Sequence, residues 1–468
     1  MKFDKVFRNS LPRKPAFTHK PFAAASPWSS SSSLGVMRSP SEMTAEELGS
    51  ASVAAAREQI ESPKFWGLIA KRATDLQGSL EPRDIALILN GMSRTRQLSH
   101  HTELMQIVSP IIKKKLAYFS SSQMAMVTSA LAKSFPPTSI PSDLIAALVK
   151  EIKSRIHEFS TAVELSMVLN ALSKLGVVDT GLSQRLSAII QSKIRSGSIA
   201  FHARELCVVA SALSQMGVRD TALFELIQMR ILPILGEATP VEISRLISAF
   251  AKAGIMTEPL LEATIGMSRD RFRLLSPTDL VTAIYGFGSV CEFVEPNCSL
   301  IELLNSLKRA CITNLPQFQS REIAAVLVSF SRWNIDLSDS ELGAVCNRVD
   351  ELIARDRVSV PLDLVVIAGS LSGMCPDRSW LGSHSDLLMK SIREAECKTQ
   401  SDWQSLNKLV DGLLKPDASR RDDILNSVSV CVVRNMDSLT DRISRSQLIE
   451  TISGIDPDHD LVLVLRDS

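Results

Sequence analysis

The feature that most constrains this chain is an internal repeat of roughly 40 residues. Eight segments align without a gap: 82–94, 121–133, 162–174, 203–215, 240–252, 277–289, 320–332 and 361–373. Their third residues, taken as position zero, are Asp84, Gln123, Glu164, Glu205, Glu242, Asp279, Glu322 and Asp363, at spacings of 39, 41, 41, 37, 37, 43 and 41. A period of this size means one supersecondary unit repeated. Such a unit cannot bury its apolar face alone, so it must stack on its neighbours.

The register identifies the unit. Position +1 is always apolar, from Ile85 and Met124 to Leu364, and so is +4, from Ile88 and Val127 to Ile367. Position +8 is always large: Met92, Leu131, Leu172, Leu213, Phe250, Phe287, Phe330, Leu371. Spacing of +1, +4 and +8 is one face of an α-helix. Position +7 is always Gly, Ala or Ser, and +9 is small as well, which lets a neighbouring backbone approach closely. Thr239-Pro240-Val241-Glu242 and Ser276-Pro277-Thr278-Asp279 read as an N-cap, proline at the first helical position and an acid at the third. The recurring acid is therefore a capping residue, with no need of a catalytic role.

A second helix follows each first one, as over 143–156, 182–194, 222–234, 259–272, 300–312 and 341–353. Gly-apolar pairs in the turns between (Gly176-Val177, Gly217-Val218, Gly254-Ile255) have the pattern of a helix C-terminal glycine with its hydrophobic contact. The expected fold is all-α, an α-solenoid of about eight to ten two-helix repeats of roughly 40 residues. Residues 41–80 read as N-terminal capping helices, 81–375 as the solenoid proper, and 376–468 as degenerate repeats (402–414, 447–455) with a cap, since terminal units must cover the open ends of the stack.

Composition narrows the function. Aromatics are only 5% of the chain, with two Tyr, which suits helices packed through aliphatic side chains. No stretch reaches the 18 or so apolar residues that a membrane helix needs, so no membrane insertion is expected. The eight cysteines form no CxxC pair and read as free thiols of a reducing compartment. Charge is uneven. Residues 1–40 hold seven bases and one acid, 41–275 hold 26 bases and 22 acids, and 276–468 hold 19 bases and 28 acids. The first segment is basic, carries a serine tract at 29–33 and places Phe3, Val6 and Phe7 among Lys2, Lys5 and Arg8. That is the composition of an organellar transit peptide, with a disordered basic tail as the alternative. The address expected is the mitochondrial matrix ahead of the plastid.

The units AVELSMVLNALSKLG (162–176), ARELCVVASALSQMG (203–217) and VEISRLISAFAKAG (241–254) resemble heptatricopeptide repeats of organellar RNA-binding proteins, and more loosely octotricopeptide repeats. Related repeats precede the RAP domains of FAST-kinase-type mitochondrial proteins. The resemblance covers roughly residues 80–375. It implies RNA binding in a mitochondrion, in transcript maturation or in ribosomal RNA and ribosome structure. No RAP-like segment is found at the C-terminus, where 461–465 (LVLVL) reads at most as a lone strand.

Two rows of the register suggest a surface for RNA. Position +10 is basic in five units: Arg94, Lys133, Lys174, Lys252 and Arg332. Position +6 is polar in six, including Asn90 and Asn170. Stacking would align both rows, bases for phosphates and amides or hydroxyls for base edges and sugars. The plainer alternatives are bases offsetting the helix dipole and ordinary interhelical hydrogen bonds. Lys113, Lys114 and Lys115, together with 150–155, 193–195 and Arg269, Arg271 and Arg273, extend the basic character of 81–275, whereas the acidic half from 276 suits protein contacts. No Walker loop, dinucleotide fingerprint, HExxH, zinc knuckle or Ser–His–Asp set is found. The expectation is a non-catalytic RNA-binding scaffold without cofactor, metal or small-molecule substrate. Its partners are mitochondrial ribosomal RNA or transcripts, and proteins through the acidic half. Two alternatives stand beside a mitochondrial ribosome component: an armadillo- or HEAT-like scaffold without RNA contact, and an accessory subunit of an organellar RNA-processing or editing complex.

Overall fold

A computed structural model describes residues 39–468 apart from 178, 269–274, 293–294, 356–357, 359, 375–378, 415–420, 440–441, 454–458, 461, 463–464 and 466–468. The expected targeting segment thus lies almost wholly outside the described residues, as do Arg269, Arg271 and Arg273. The array opens with α1 (Ala45–Arg57) and α2 (Pro63–Asp75). The repeat pairs follow: α3 (Pro82–Arg94) with α4 (Thr102–Lys115), α5 (Ser121–Ser134) with α6 (Ser142–Ser154), α7 (Ala162–Lys174) with α8 (Thr180–Ser196), and α9 (Ala203–Gln215) with α10 (Thr221–Ile231). Then come α11 (Pro240–Ala253) with α12 (Glu258–Ser268), α13 (Pro277–Gly288) with α14 (Cys298–Thr313), and α15 (Ser320–Arg332) with α16 (Asp339–Ala354). In the last stretch α17 (Pro361–Met374) is followed by a second helix broken into α18 (Ser379–Ser383) and α19 (Ser385–Glu394). Below it lie α20 (Gln400–Leu414), α21 (Arg421–Arg434) and α22 (Arg442–Ser453). The chain is an all-α solenoid. The tail 461–465 that reads as a strand is helical at its described residues Val462 and Leu465.

The first helices from α3 to α15 start where their caps dictate, whereas the corresponding acid of α17, Asp363, accepts from Ser320 Oγ of α15 at 2.7 Å. Thr161 Oγ1 accepts from Glu164 N at 3.2 Å, while the Glu164 carboxylate accepts from Thr161 N at 3.2 Å and Ser160 N at 2.9 Å. Glu205 accepts from His202 N, Glu242 from Thr239 N, Glu322 from Gln319 N and Asp84 from Glu81 N, at 2.8–3.1 Å. These reciprocal bonds satisfy N–H groups that have no partner within the helix. Gly254, at φ +72°, closes α11 and lets Ile255 N donate to Phe250 O at 3.1 Å, the bond of a left-handed C-terminal turn. Arg96 and Asn334 take the same left-handed conformation without being glycine.

The first helices pack on one another in sequence, α1 on α3 and so on through α17 to α20, in one close layer. The second helices make a looser layer, α4 on α6, α8 on α10, α12 on α14 and α14 on α16. Ile85, Ile88 and Met92, with their counterparts at +1, +4 and +8 in each unit, are buried between the layers. The small residues at +7 earn their place in the close layer. A Cβ on Gly286 would lie 2.4 Å from the Ser244 carbonyl oxygen of α11, and one on Gly91 would lie 2.7 Å from that of Ser52 in α1. Among the described residues no helix is long and apolar enough to cross a membrane.

Candidate nucleic-acid interface

Residues at +3, +6 and +10 of one helix share a face one turn apart. On the outer face of the close layer these rows line a groove of about 810 Å³ that crosses α3, α5, α7, α9 and α11. Met126, Met167 and Val208 supply an apolar row at +3. Asn90, Ser129, Asn170 and Ser211 supply the polar row at +6. Arg94, Lys133 and Lys174 supply cations at +10. Five of the expected site residues are thus brought together, and the apolar row is a component that the sequence did not disclose as part of the surface.

Two further cations join them: Arg204, just before the acid of α9, and Arg245, at +3 of α11. Neither position is basic in adjoining units, so no periodic signal marks them; only the lean of one helix against the next brings them to the groove. The carboxylates of the lining, Glu164, Glu205 and Glu242, are occupied in the caps described above. Glu242 additionally lies 3.8 Å from Arg204 Nε. Arg94, Lys133, Lys174 and Arg245 form no ion pair among the described residues. Partial burial in the groove wall, with repulsion from Lys174, Arg204 and Arg94, holds the Lys133 ammonium below its ordinary range. Partial burial and Arg245 do the same to Lys174. Both side chains still reach solvent, so a polyanion can approach them. Neighbouring like charges that are not paired off one to one repel each other when the groove is empty, and a bound anion relaxes that repulsion.

The remaining expected bases lie elsewhere. Lys113, Lys114 and Lys115 sit on α4, in the second layer, away from the groove. Lys113 pairs with Asp143 of α6, and Lys115 Nζ contacts Glu81 Oε1 and Leu80 O at 2.9 Å each. Lys153 likewise pairs with Asp179 at the start of α8, and Arg155 with Glu151 and Glu158. Lys113 and Lys153 thus tie one repeat to the next, a base late in one second helix standing beside the acidic start of the following one, while Lys115 and Arg155 pair within their own unit. Arg332 pairs with Glu292 and lies over the Trp333 ring, outside the groove. Lys252, two turns after Arg245 on α11, is outside the groove lining, its Nζ 5.3 Å from the centroid of the Tyr285 ring. The polar row also has the plainer use foreseen for it, since Ser289 Oγ donates to Ser248 Oγ at 3.0 Å between α13 and α11.

Among the described residues no group of His, Cys, Asp and Glu is arranged to hold a metal. Cys207, in the groove lining, is buried, and burial pushes its thiol far above the ordinary range, away from the reactive thiolate.

Residues 82–355, from the first repeat helix to the end of α16, match a family described as RNA-editing substrate-binding complex 6 protein. The match spans the whole groove and more than half of the chain. No curated protein matches the chain.

Proposed function

The chain belongs to the RNA-editing substrate-binding complex 6 protein family, and on that premise we propose that it is a non-catalytic subunit of an organellar RNA-editing complex that holds single-stranded RNA in the α3–α11 groove. The observation that carries the reading is the unpaired cation cluster of Arg94, Lys133, Lys174 and Arg245 set beside an amide-and-hydroxyl row and an apolar row. Phosphates would neutralise the cations with release of counterions. Asn90 and Asn170 would meet base edges or sugar hydroxyls, and base faces would lie against Met126, Met167 and Val208.

A structural role fits this surface better than a catalytic one, because its carboxylates are committed to helix caps. The acidic half, residues 276–468, repels phosphate and suits protein partners within the complex. The family favours the editing complex over the mitochondrial ribosome as the setting, and RNA contact over a protein-only scaffold. A mitochondrial address accords with the basic, serine-rich first forty residues.

The test is ultraviolet crosslinking of the tagged protein in intact cells, with sequencing of the attached RNA and identification of the co-purified proteins. Editing substrates or their guides on the protein, together with editing-complex subunits, support the proposal. Ribosomal RNA at fixed positions would move the protein to the ribosome, and no RNA above an untagged control would leave the groove as dipole compensation alone.

A further inference from the structure

The polar row at +6 carries Asn or Ser from α3 to α11 and then changes character at Tyr285 of α13. This is one of two tyrosines in the chain, and it stands 40% exposed where a small polar residue would serve the helix equally well. Its hydroxyl makes no hydrogen bond among the described residues. Its surroundings fix the ring. Trp333, just after α15, meets it edge to face, with centroids 5.5 Å apart and planes at 72°. Trp333 is itself buried, and its Nε1 donates to Glu292 Oε1 at 3.0 Å. Its six-membered ring fills the space beside Gly288, where a Cβ would come within 2.2 Å. On the groove side, the Lys252 ammonium of α11 lies 5.3 Å from the Tyr285 ring centroid.

A rigidly backed aromatic ring, half open to solvent, thus follows directly on the cationic groove and in the same row. We propose that Tyr285 is a stacking platform for an unpaired nucleobase of the RNA strand, and that Lys252 turns from the ring to the phosphate of that nucleotide when the base arrives. The inference rests on the RNA-binding reading above. Every base has a π face, so such a platform is tolerant of sequence and adds affinity that phosphate contacts cannot. Lys252 already occupies the electron-rich face of the ring, which keeps a cation at hand for the incoming phosphate. The platform also ends the path. The next +6 residues are Val328 and Gly369, and the next +10 base, Arg332, is paired with Glu292.

The experiment is equilibrium binding of the full chain to a mixed-sequence single-stranded RNA and to the same strand without bases. It compares the wild type with Tyr285→Phe, Tyr285→Leu, Tyr285→Ala and the double variant Lys133→Glu, Lys174→Glu. The expected result is that Tyr285→Phe binds like the wild type, while both Tyr285→Leu and Tyr285→Ala bind the intact strand about 5-fold to about 100-fold more weakly. The salt dependence should be unchanged, since no phosphate contact is lost, and the difference should vanish on the abasic strand. If Tyr285→Leu binds like the wild type and only Tyr285→Ala is impaired, the ring is a prop for Trp333 and the platform is overturned. If both bind like the wild type while the lysine double variant is impaired, the platform is overturned and the groove stands. A wild-type chain that binds no RNA overturns both.

Discussion

Ser173 Oγ donates a hydrogen bond of 2.7 Å to Gln215 Oε1, joining position +9 of α7 to position +10 of α9. The one interruption of the cationic row between Arg94 and Lys252 is therefore filled by a contact between repeats. Its removal is a gain-of-function test. Gln215→Lys places a cation between Lys174 and Lys252 at the cost of that bond, about 0.5–1.5 kcal/mol of stability at most. Tighter binding of single-stranded RNA is expected, with the slope of log affinity against log salt steeper by about 0.7. Titration at several salt concentrations checks it.

Reversal of the existing row should do the opposite. Lys133→Glu with Lys174→Glu is expected to weaken RNA binding and to flatten the salt dependence by about 0.7 for each lysine. Lys64→Glu with Lys71→Glu, exposed bases of α2 outside the groove, is the matched control and should leave both quantities unchanged. Equal losses in the two double variants would mean that only overall charge matters.

The lowered lysines predict a pH dependence with a definite sign. In the free protein, burial and neighbouring cations hold the Lys133 and Lys174 ammonium groups below their ordinary range. A bound phosphate favours the charged form and raises both. RNA affinity should then fall as pH rises through the lowered free-state values, earlier than for ordinary lysines. The free fold responds in the opposite direction, because loss of charge relieves the repulsion within the cluster and stabilises it as pH rises. Lys133→Arg with Lys174→Arg should keep binding and remove the alkaline loss, as measured at constant ionic strength.

Glycine within the helices has two meanings here, and substitution separates them. Gly286→Ala drives a Cβ to 2.4 Å from the Ser244 carbonyl and should destabilise by about 1–3 kcal/mol, because α11 and α13 must move apart. Gly343→Ala, in α16, meets nothing within 4 Å and should stabilise by up to about 1 kcal/mol through helix propensity. Denaturant unfolding of each variant checks the pair.

The site was half legible before the fold was known. Asn90, Arg94, Lys133, Asn170 and Lys174 are periodic, so their alignment follows from the register. Arg204 and Arg245 are not periodic, and their place in the groove depends on how α9 and α11 lean against the helices before them. Lys113 and Lys115 look equally basic in the sequence. Their ion pairs, Lys113 with Asp143 of the next unit and Lys115 with Glu81 at the start of its own, arise only from the packing of helix on helix.

The amino-acid sequence by itself determined the repeat, its helical faces, its capped starts and the close layer of first helices. All of these follow from local propensity, capping chemistry and the 3.6-residue period, which act within a single unit. The tertiary structure alone decided which cations remain unpaired among the described residues and where Tyr285 stands relative to Lys252 and Trp333. Those relations join residues of different helices, Lys252 and Trp333 lying 33 and 48 residues from Tyr285 in the chain, and their distances are set by interhelical packing, to which no local rule of sequence has access.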